Sequence, residues 1–218
     1  MKKLVCIFAH PDDETFMVGG TIAKLSKEYE IHLLCATKGE AGKNSKDETQ
    51  QLGKMRAQEI KNAAKILGIK KVYFLGFKDG TLSNNLYHSL ATKIQKKLEI
   101  LKPEFIMSND PTGNSGHIDH ITIAMVTLYV FHKLSFIKTL WQYCGKAEVS
   151  ELMKDNYFIH FPKGYTRKEV DKVIDVSDVW DIKVKAMKEH KSQMHDVDRI
   201  LQTQKNIPKE DYFFVVTK

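Results

Sequence analysis

Cysteine is scarce. The 218-residue chain holds three, Cys6, Cys35 and Cys144, with no CxxC pair among them. An odd number in apolar surroundings excludes a disulfide framework and a thiolate metal site, and leaves buried free thiols of a reducing compartment. Long apolar runs are missing as well. The stretch from Ile121 to Phe131 is too short to span a bilayer. Met1-Lys2-Lys3-Leu4 begins like a secretion signal, but its apolar run meets His10 and Asp12 too soon to form the hydrophobic region of one. A cytoplasmic protein without a membrane span is therefore expected. The formal net charge is +7, yet no zinc finger, RNP motif or basic stripe interleaved with aromatics accompanies it. Scattered lysines beside acids read as solvated surface, so no nucleic-acid partner is expected. The GxGxxG fingerprint of a dinucleotide site is also missing, and Gly19-Gly20 reads as close packing at a helix start.

What is present is alternation. Leu4–Ala9 is a continuous apolar run, as in a strand covered on both faces. A helix from Gly19 to Ser26 and a strand Ile31–Thr37 follow. Thr49–Leu67 has helical spacing and stops at Gly68. Val72–Gly76 reads as a strand, Leu86–Leu101 as a helix, Glu104–Ser108 as a strand and Ile121–Lys133 as an apolar helix. Thr139–Cys144, Tyr157–Phe161 and Tyr212–Val216 read as strands, and Val179–Met194 as a helix. This order predicts an α/β fold, a Rossmann-like doubly wound, mostly parallel sheet flanked by helices. Residues 1–218 read as a single domain, with a core of about 1–138 and a small C-terminal α+β extension of about 139–218. In such sheets ligands bind beyond the carboxyl ends of the strands, where the strand order reverses.

Two strand ends carry chemistry. The first strand runs into His10-Pro11-Asp12-Asp13-Glu14, where three carboxylates crowd together and require a cation or shared protons. Histidine with aspartate suits a divalent metal such as zinc. The strand ending at Ser108 leads through a polar, Gly- and Pro-rich loop to His117-Ile118-Asp119-His120. If both histidines sit on the first turn of a helix, they lie on one face. Together the clusters supply His, Asp and His ligands with a fourth position open, the usual pattern of a catalytic zinc.

These residues resemble the PIG-L/LmbE family of zinc-dependent N-acetylglucosaminyl deacetylases. The paired HPDDE and HxDH motifs carry the resemblance. Support comes from Thr37-Lys38-Gly39-Glu40-Ala41-Gly42, from Arg56 and Glu59 with Ala63 and Leu67-Gly68, from Leu75-Gly76-Phe77-Lys78-Asp79-Gly80, and from Lys185-Ala186 with His190, Ser192 and Gln193. Ile118 stands where relatives often carry proline. The resemblance implies an LmbE-like fold in which His10, Asp13 and His120 bind one Zn2+ per chain and Asp12 is the general base. A protonated His117 would then stabilise the oxyanion and share the return of the proton. Arg56 is the candidate for gripping a sugar hydroxyl or an anionic group, or else forms a salt bridge with Glu59 or another acid. Asp119 is expected to orient His117 or His120, or to serve as a helix N-terminal acid. Glu14 reads as a supporting acid. His190 either reaches the site or caps a helix, and Asn109 and Asp110 either line the pocket or stay in a solvated loop. His32, His88, His132, His160 and His195 have no motif context.

The implied reaction is removal of acetyl from an N-acetylglucosamine-containing small molecule. One alternative is an amidase of the same family acting on a larger thiol conjugate, a choice of pocket size set by loops 39–50 and 139–165. Another is a metal-dependent phosphoesterase, which needs ligands for two ions about 4 Å apart, whereas the sequence offers one set. A non-catalytic sugar-binding relative would leave Asp12 without purpose. The positive charge favours an anionic aglycone. Relatives are often oligomers, so a homo-oligomer is a possible state.

Overall fold

The computed structural model describes residues 1–42, 49–156 and 160–218. Its strands are β1 (Lys2–Phe8), β2 (Tyr29–Cys35), β3 (Ile69–Phe74), β4 (Phe105–Asn109), β5 (Thr139–Cys144), β6 (Lys172–Asp175) and β7 (Glu210–Thr217). They form one sheet in the order β3-β2-β1-β4-β5-β7-β6. The first five are parallel, while β7 runs antiparallel to β5 and β6 antiparallel to β7.

The alternation of β1 explains the layers. Leu4, Cys6 and Phe8 enter one core and Val5, Ile7 and Ala9 the other, all fully buried. The first core is closed by α2 (Gly19–Leu25), α3 (Thr49–Leu67) and α8 (Trp180–Met187), the second by α4 (Tyr87–Leu101) and α6 (Ile118–Lys133). The remaining helices are short: α1 (Asp13–Phe16), α5 (Gly113–Gly116), α7 (Ala147–Met153) and α9 (Met194–Thr203). At Gly20 a Cβ would lie 2.5 Å from Val176 Cβ, so this glycine permits close packing. None of the described helices is long and apolar enough to cross a membrane.

Chain order reverses beside β1. β2 and β3 extend the sheet one way, β4 and β5 the other. The carboxyl ends of β1 and β4 therefore flank the crevice where such folds bind ligands, and both candidate clusters leave the sheet there.

Several elements differ from expectation. The helix expected over Val179–Met194 is broken: α8 ends at Met187, a 3-10 turn covers Lys191–Gln193, and α9 runs on to Thr203. His190 sits at the break with ψ 63, outside helical geometry. Two elements, α7 and β6, had no clear sequence signal because they are short and half-exposed. Of the strand expected at Tyr157–Phe161, residues 157–159 lie outside the described residues, and His160 and Phe161 are not in a strand.

A buried ion pair fastens the C-terminal elements to the parallel part of the sheet. Lys183 of α8 donates to Asp211 of β7 at 3.2 Å and to the Met17 carbonyl at 3.1 Å. The other Asp211 oxygen accepts from the backbone and hydroxyl of Thr21 at 3.0 and 2.8 Å. Removing one partner leaves an uncompensated buried charge. Lys183→Met should lower the unfolding free energy by about 3–5 kcal/mol, and Lys183→Met with Asp211→Asn by less, as read by urea denaturation.

Candidate active site

The turn after β1 is built by its own carboxylates. Asp13 Oδ2 accepts the N–H groups of Ala9 (3.1 Å) and His10 (2.9 Å), which folds the chain back on the strand end. Thr15 and Phe16 then donate to the Asp12 carbonyl, opening α1. Asp12 takes a φ of 113, a left-handed region that disfavours a residue with a side chain. The second turn is shaped by Asp110, which accepts from the Thr112 hydroxyl and the Asn114 N–H and so delivers His117 and His120. Asp110 is a buried turn-former rather than a solvated loop residue.

Three donors converge. His10 Nδ1 lies 3.0 Å from His120 Nε2, His120 Nε2 is 3.2 Å from Asp13 Oδ1, and His10 Nδ1 is 3.8 Å from Asp13 Oδ2. Nitrogens of His10, His117 and His120 also lie within 4.8 Å of one another. The orientation of the rings decides whether this cluster suits a cation. His10 Nε2 faces Asp79 Oδ1 at 2.9 Å and Asp119 Oδ2 at 3.1 Å, which keeps its proton there. His120 Nδ1 meets the Gly113 carbonyl at 3.1 Å, which does the same on the other ring. Both rings thus aim their remaining nitrogen at the same point, beside a carboxylate. Neutral imidazoles set this way by outer hydrogen bonds, with one carboxylate, fit a divalent metal ion.

Asp119 was expected to orient His117 or His120. Its carboxylate faces His10 instead, and it also accepts the N–H groups of Gly80 and Leu82 at 2.9 and 3.0 Å. Asp79 shares the task, its second oxygen held by Ala41 N–H at 3.0 Å. Sequence reasoning did not assign Asp79 to the site, although the segment Leu75–Gly80 containing it had been noted. His117 is not on the helical turn. It is the N-cap of α6, with extended backbone, and its Nδ1 accepts the Asp119 N–H at 3.2 Å. Its ring stacks 5.0 Å from that of His120.

Arg56 is 4% exposed. Its terminal nitrogens donate to Asp12 Oδ2 (2.8 Å), the Pro11 carbonyl (2.6 Å) and the Gly39 carbonyl (2.9 Å). The guanidinium passes so close to Gly39 (φ 68) that a Cβ there would lie 2.4 Å from its central carbon. Arg56 thus forms an ion pair with Asp12, the alternative to a grip on substrate, and its side chain also lines the cavity.

Burial governs the charges. It pushes Asp12 up to about 7, outweighing the Arg56 guanidinium, with neighbouring Asp13 adding to the rise. Asp13 lies well below the usual carboxylate range because His120 and His10 overcome its burial. For His10, burial favours the neutral ring, but Asp119, Asp79 and Asp13 together raise it to about 10. His117 falls to about 4 through burial and the facing His120 and His10. It is neutral near pH 7 and, with Nδ1 accepting, carries its proton on Nε2. The resemblance implied a protonated His117; burial and the facing His120 and His10 disfavour that charge in the metal-free protein.

A cavity of about 500 Å3 opens on this cluster. His10, Asp12, Asp13, His117 and His120 line it, and it extends to Val149 and Met153 of α7 and Ile200 of α9. His195, which had no motif context, also reaches its wall.

A hydrolytic metal centre in the crevice of a doubly wound α/β sheet is the class this geometry defines. Residues 5–131, more than half of the chain, match the PIG-L family, described as GlcNAc-PI de-N-acetylase, and the chain belongs to that family. A Bacillus subtilis relative, "Probable N-acetyl-alpha-D-glucosaminyl L-malate deacetylase 2", is 29% identical over 215 residues, covering 92% of this chain and 87% of its own length. Among solved structures, the N,N'-diacetylchitobiose deacetylase of Pyrococcus horikoshii superposes with a TM-score of 0.76 at 23% identity, covering 99% of this chain and 84% of that one. The 4-carboxy-2-hydroxymuconate hydratase of Pseudomonas putida superposes with a TM-score of 0.74 at 19% identity, covering 100% and 97%. At these identities the two structures establish the shared fold and not a shared reaction.

With His10 raised to about 10, the metal-free protein carries a proton between its two facing histidines at pH 8. Metal binding must displace that proton. Calorimetry near pH 8 in buffers of different ionisation enthalpy should show release of about one proton per metal bound, falling toward zero above about pH 10, where His10 is already neutral.

Proposed function

We propose that this chain is a zinc-dependent hydrolase that removes the N-acetyl group from an N-acetylglucosamine-containing small molecule. The observation that carries the reading is the Asp12 carboxylate, held by Arg56 beside the His10, Asp13 and His120 donors in one cavity. The names of the malate and chitobiose relatives support the substrate class. In this reading His10, Asp13 and His120 hold one zinc ion. When bound, zinc brings the pKa of a water molecule toward about 7 and polarises the amide carbonyl. Asp12, raised toward neutrality by burial, accepts the proton of the attacking water and returns it to the departing amine. His117 donates from Nε2 to the carbonyl oxygen as it gains charge. Asp79 and Asp119 keep His10 in its ligating tautomer. Arg56 aims Asp12.

A two-ion phosphoesterase is less well supported. The other donor set among the described residues, His10, Asp79 and Asp119, shares His10, and its carboxylates already accept backbone N–H groups. The cavity is of a size for a small conjugate. Part of loop 39–50, residues 43–48, lies outside the described residues, so the amidase alternative rests on cavity size alone. We read residues 1–218 as one LmbE-like unit, since β7 and β6 extend the same sheet. A cytoplasmic location and a possible homo-oligomer complete the reading; the first rests on three buried free cysteines.

The test is amine release from a panel of N-acetylglucosamine conjugates. Activity should vanish with chelator and return with zinc, and activity indifferent to chelator would overturn the reading. Asp12→Asn should lower kcat by about 10²–10⁴ with zinc content unchanged. His120→Ala should lose the metal itself, as measured by elemental analysis, because two donors cannot retain it.

A further inference from the structure

Asp12 sits in a backbone conformation that its own sequence does not favour, so something must hold it there. The Asp12 N–H donates to Glu14 Oε2 at 3.1 Å. Glu14 Oε1 in turn meets His190 Nε2 at 2.9 Å. Both side chains are wholly buried, and His190 comes from a segment 176 residues away in the chain. A carboxylate at this depth needs donors on both oxygens. Asp12 N–H supplies one and His190 the other. The ring of His190 is itself set against Phe16, with centroids 6.2 Å apart.

The same segment also anchors α3, the helix that carries Arg56. Ser192 donates from its backbone (2.9 Å) and its hydroxyl (2.7 Å) to the buried Glu59 carboxylate. Glu59 lies three residues beyond Arg56 on α3, so the two share a helix face, and Arg56 holds Asp12 Oδ2. Residues 190–193 therefore reach Asp12 by one hydrogen-bonded chain, through Glu14 to its backbone, and separately anchor the helix whose Arg56 holds its side chain.

We infer that His190 is a positioning residue for Asp12, acting through Glu14, and that the break between α8 and α9 exists to place it. The inference rests on the reading of Asp12 as the proton acceptor. His190 touches neither the metal donors nor the cavity, so its removal should disturb aim and leave ligation intact.

The test compares His190→Leu, which removes the donor, with His190→Gln, whose amide can still donate to Glu14. His190→Leu should lower kcat by about 10–100-fold with KM and zinc content within about twofold, and His190→Gln should recover kcat to within about threefold of wild type. A His190→Leu enzyme with unchanged kcat overturns the inference, as does a fall in kcat matched by loss of zinc. If His190→Leu does not fold, His190→Gln decides alone: kcat within about threefold supports the inference and a larger loss overturns it. A wild-type enzyme that releases no amine from any conjugate overturns the functional reading instead.

Discussion

Everything at the crevice depends on the mutual compensation of buried charge. Asp12, Asp13, Glu14, Asp79 and Asp119 are all buried around His10, His120, His190 and Arg56. No member can lose its partner without leaving a largely desolvated charge uncompensated. His10 is the hinge of this arrangement. One nitrogen binds the carboxylates of Asp79 and Asp119, and the other faces His120 and Asp13. The outer carboxylates set its tautomer, and the tautomer decides that a lone pair, rather than a proton, is offered inward when a cation is bound.

The fold supplies this crowding at low cost because of where β1 lies. A central strand covered on both faces must be apolar to its end, so polar residues first become possible at the turn beyond Phe8. At that turn the neighbouring strand ends diverge, and the turn after β4 brings a second set of polar side chains opposite the first. The charges therefore face each other across an opening in an otherwise apolar structure. Helix starts add fixed donors: α1 begins at Asp13 and α6 begins beside His117, so each cluster sits at the positive end of a helical turn.

The parallel half was legible because burial and periodicity speak directly in sequence. Leu4–Ala9 is a short apolar run of strand length and Thr49–Leu67 has the period of an amphipathic helix. The C-terminal part was less legible. Tyr212–Val216 was legible as β7, but β6 is short and half-exposed, and nothing local marks where the helix expected over Val179–Met194 divides into α8 and α9. The break at His190 was hidden for the same reason. There His190 meets Glu14, a partner 176 residues away.

Sequence by itself determined which residue types gather at two strand ends, and hence that a cation or shared protons must offset the carboxylates there. That follows from local chemistry: carboxylates crowd only where something offsets them. Only the tertiary structure decided who serves whom. Asp119 turned to His10 and not to its neighbours, Arg56 took hold of Asp12, His117 capped its helix by accepting the Asp119 N–H, and Asp79 joined from a loop that had no assigned role. These assignments depend on which side chains meet across the crevice, and such meetings are set by strand order and packing, which no local run of residues encodes.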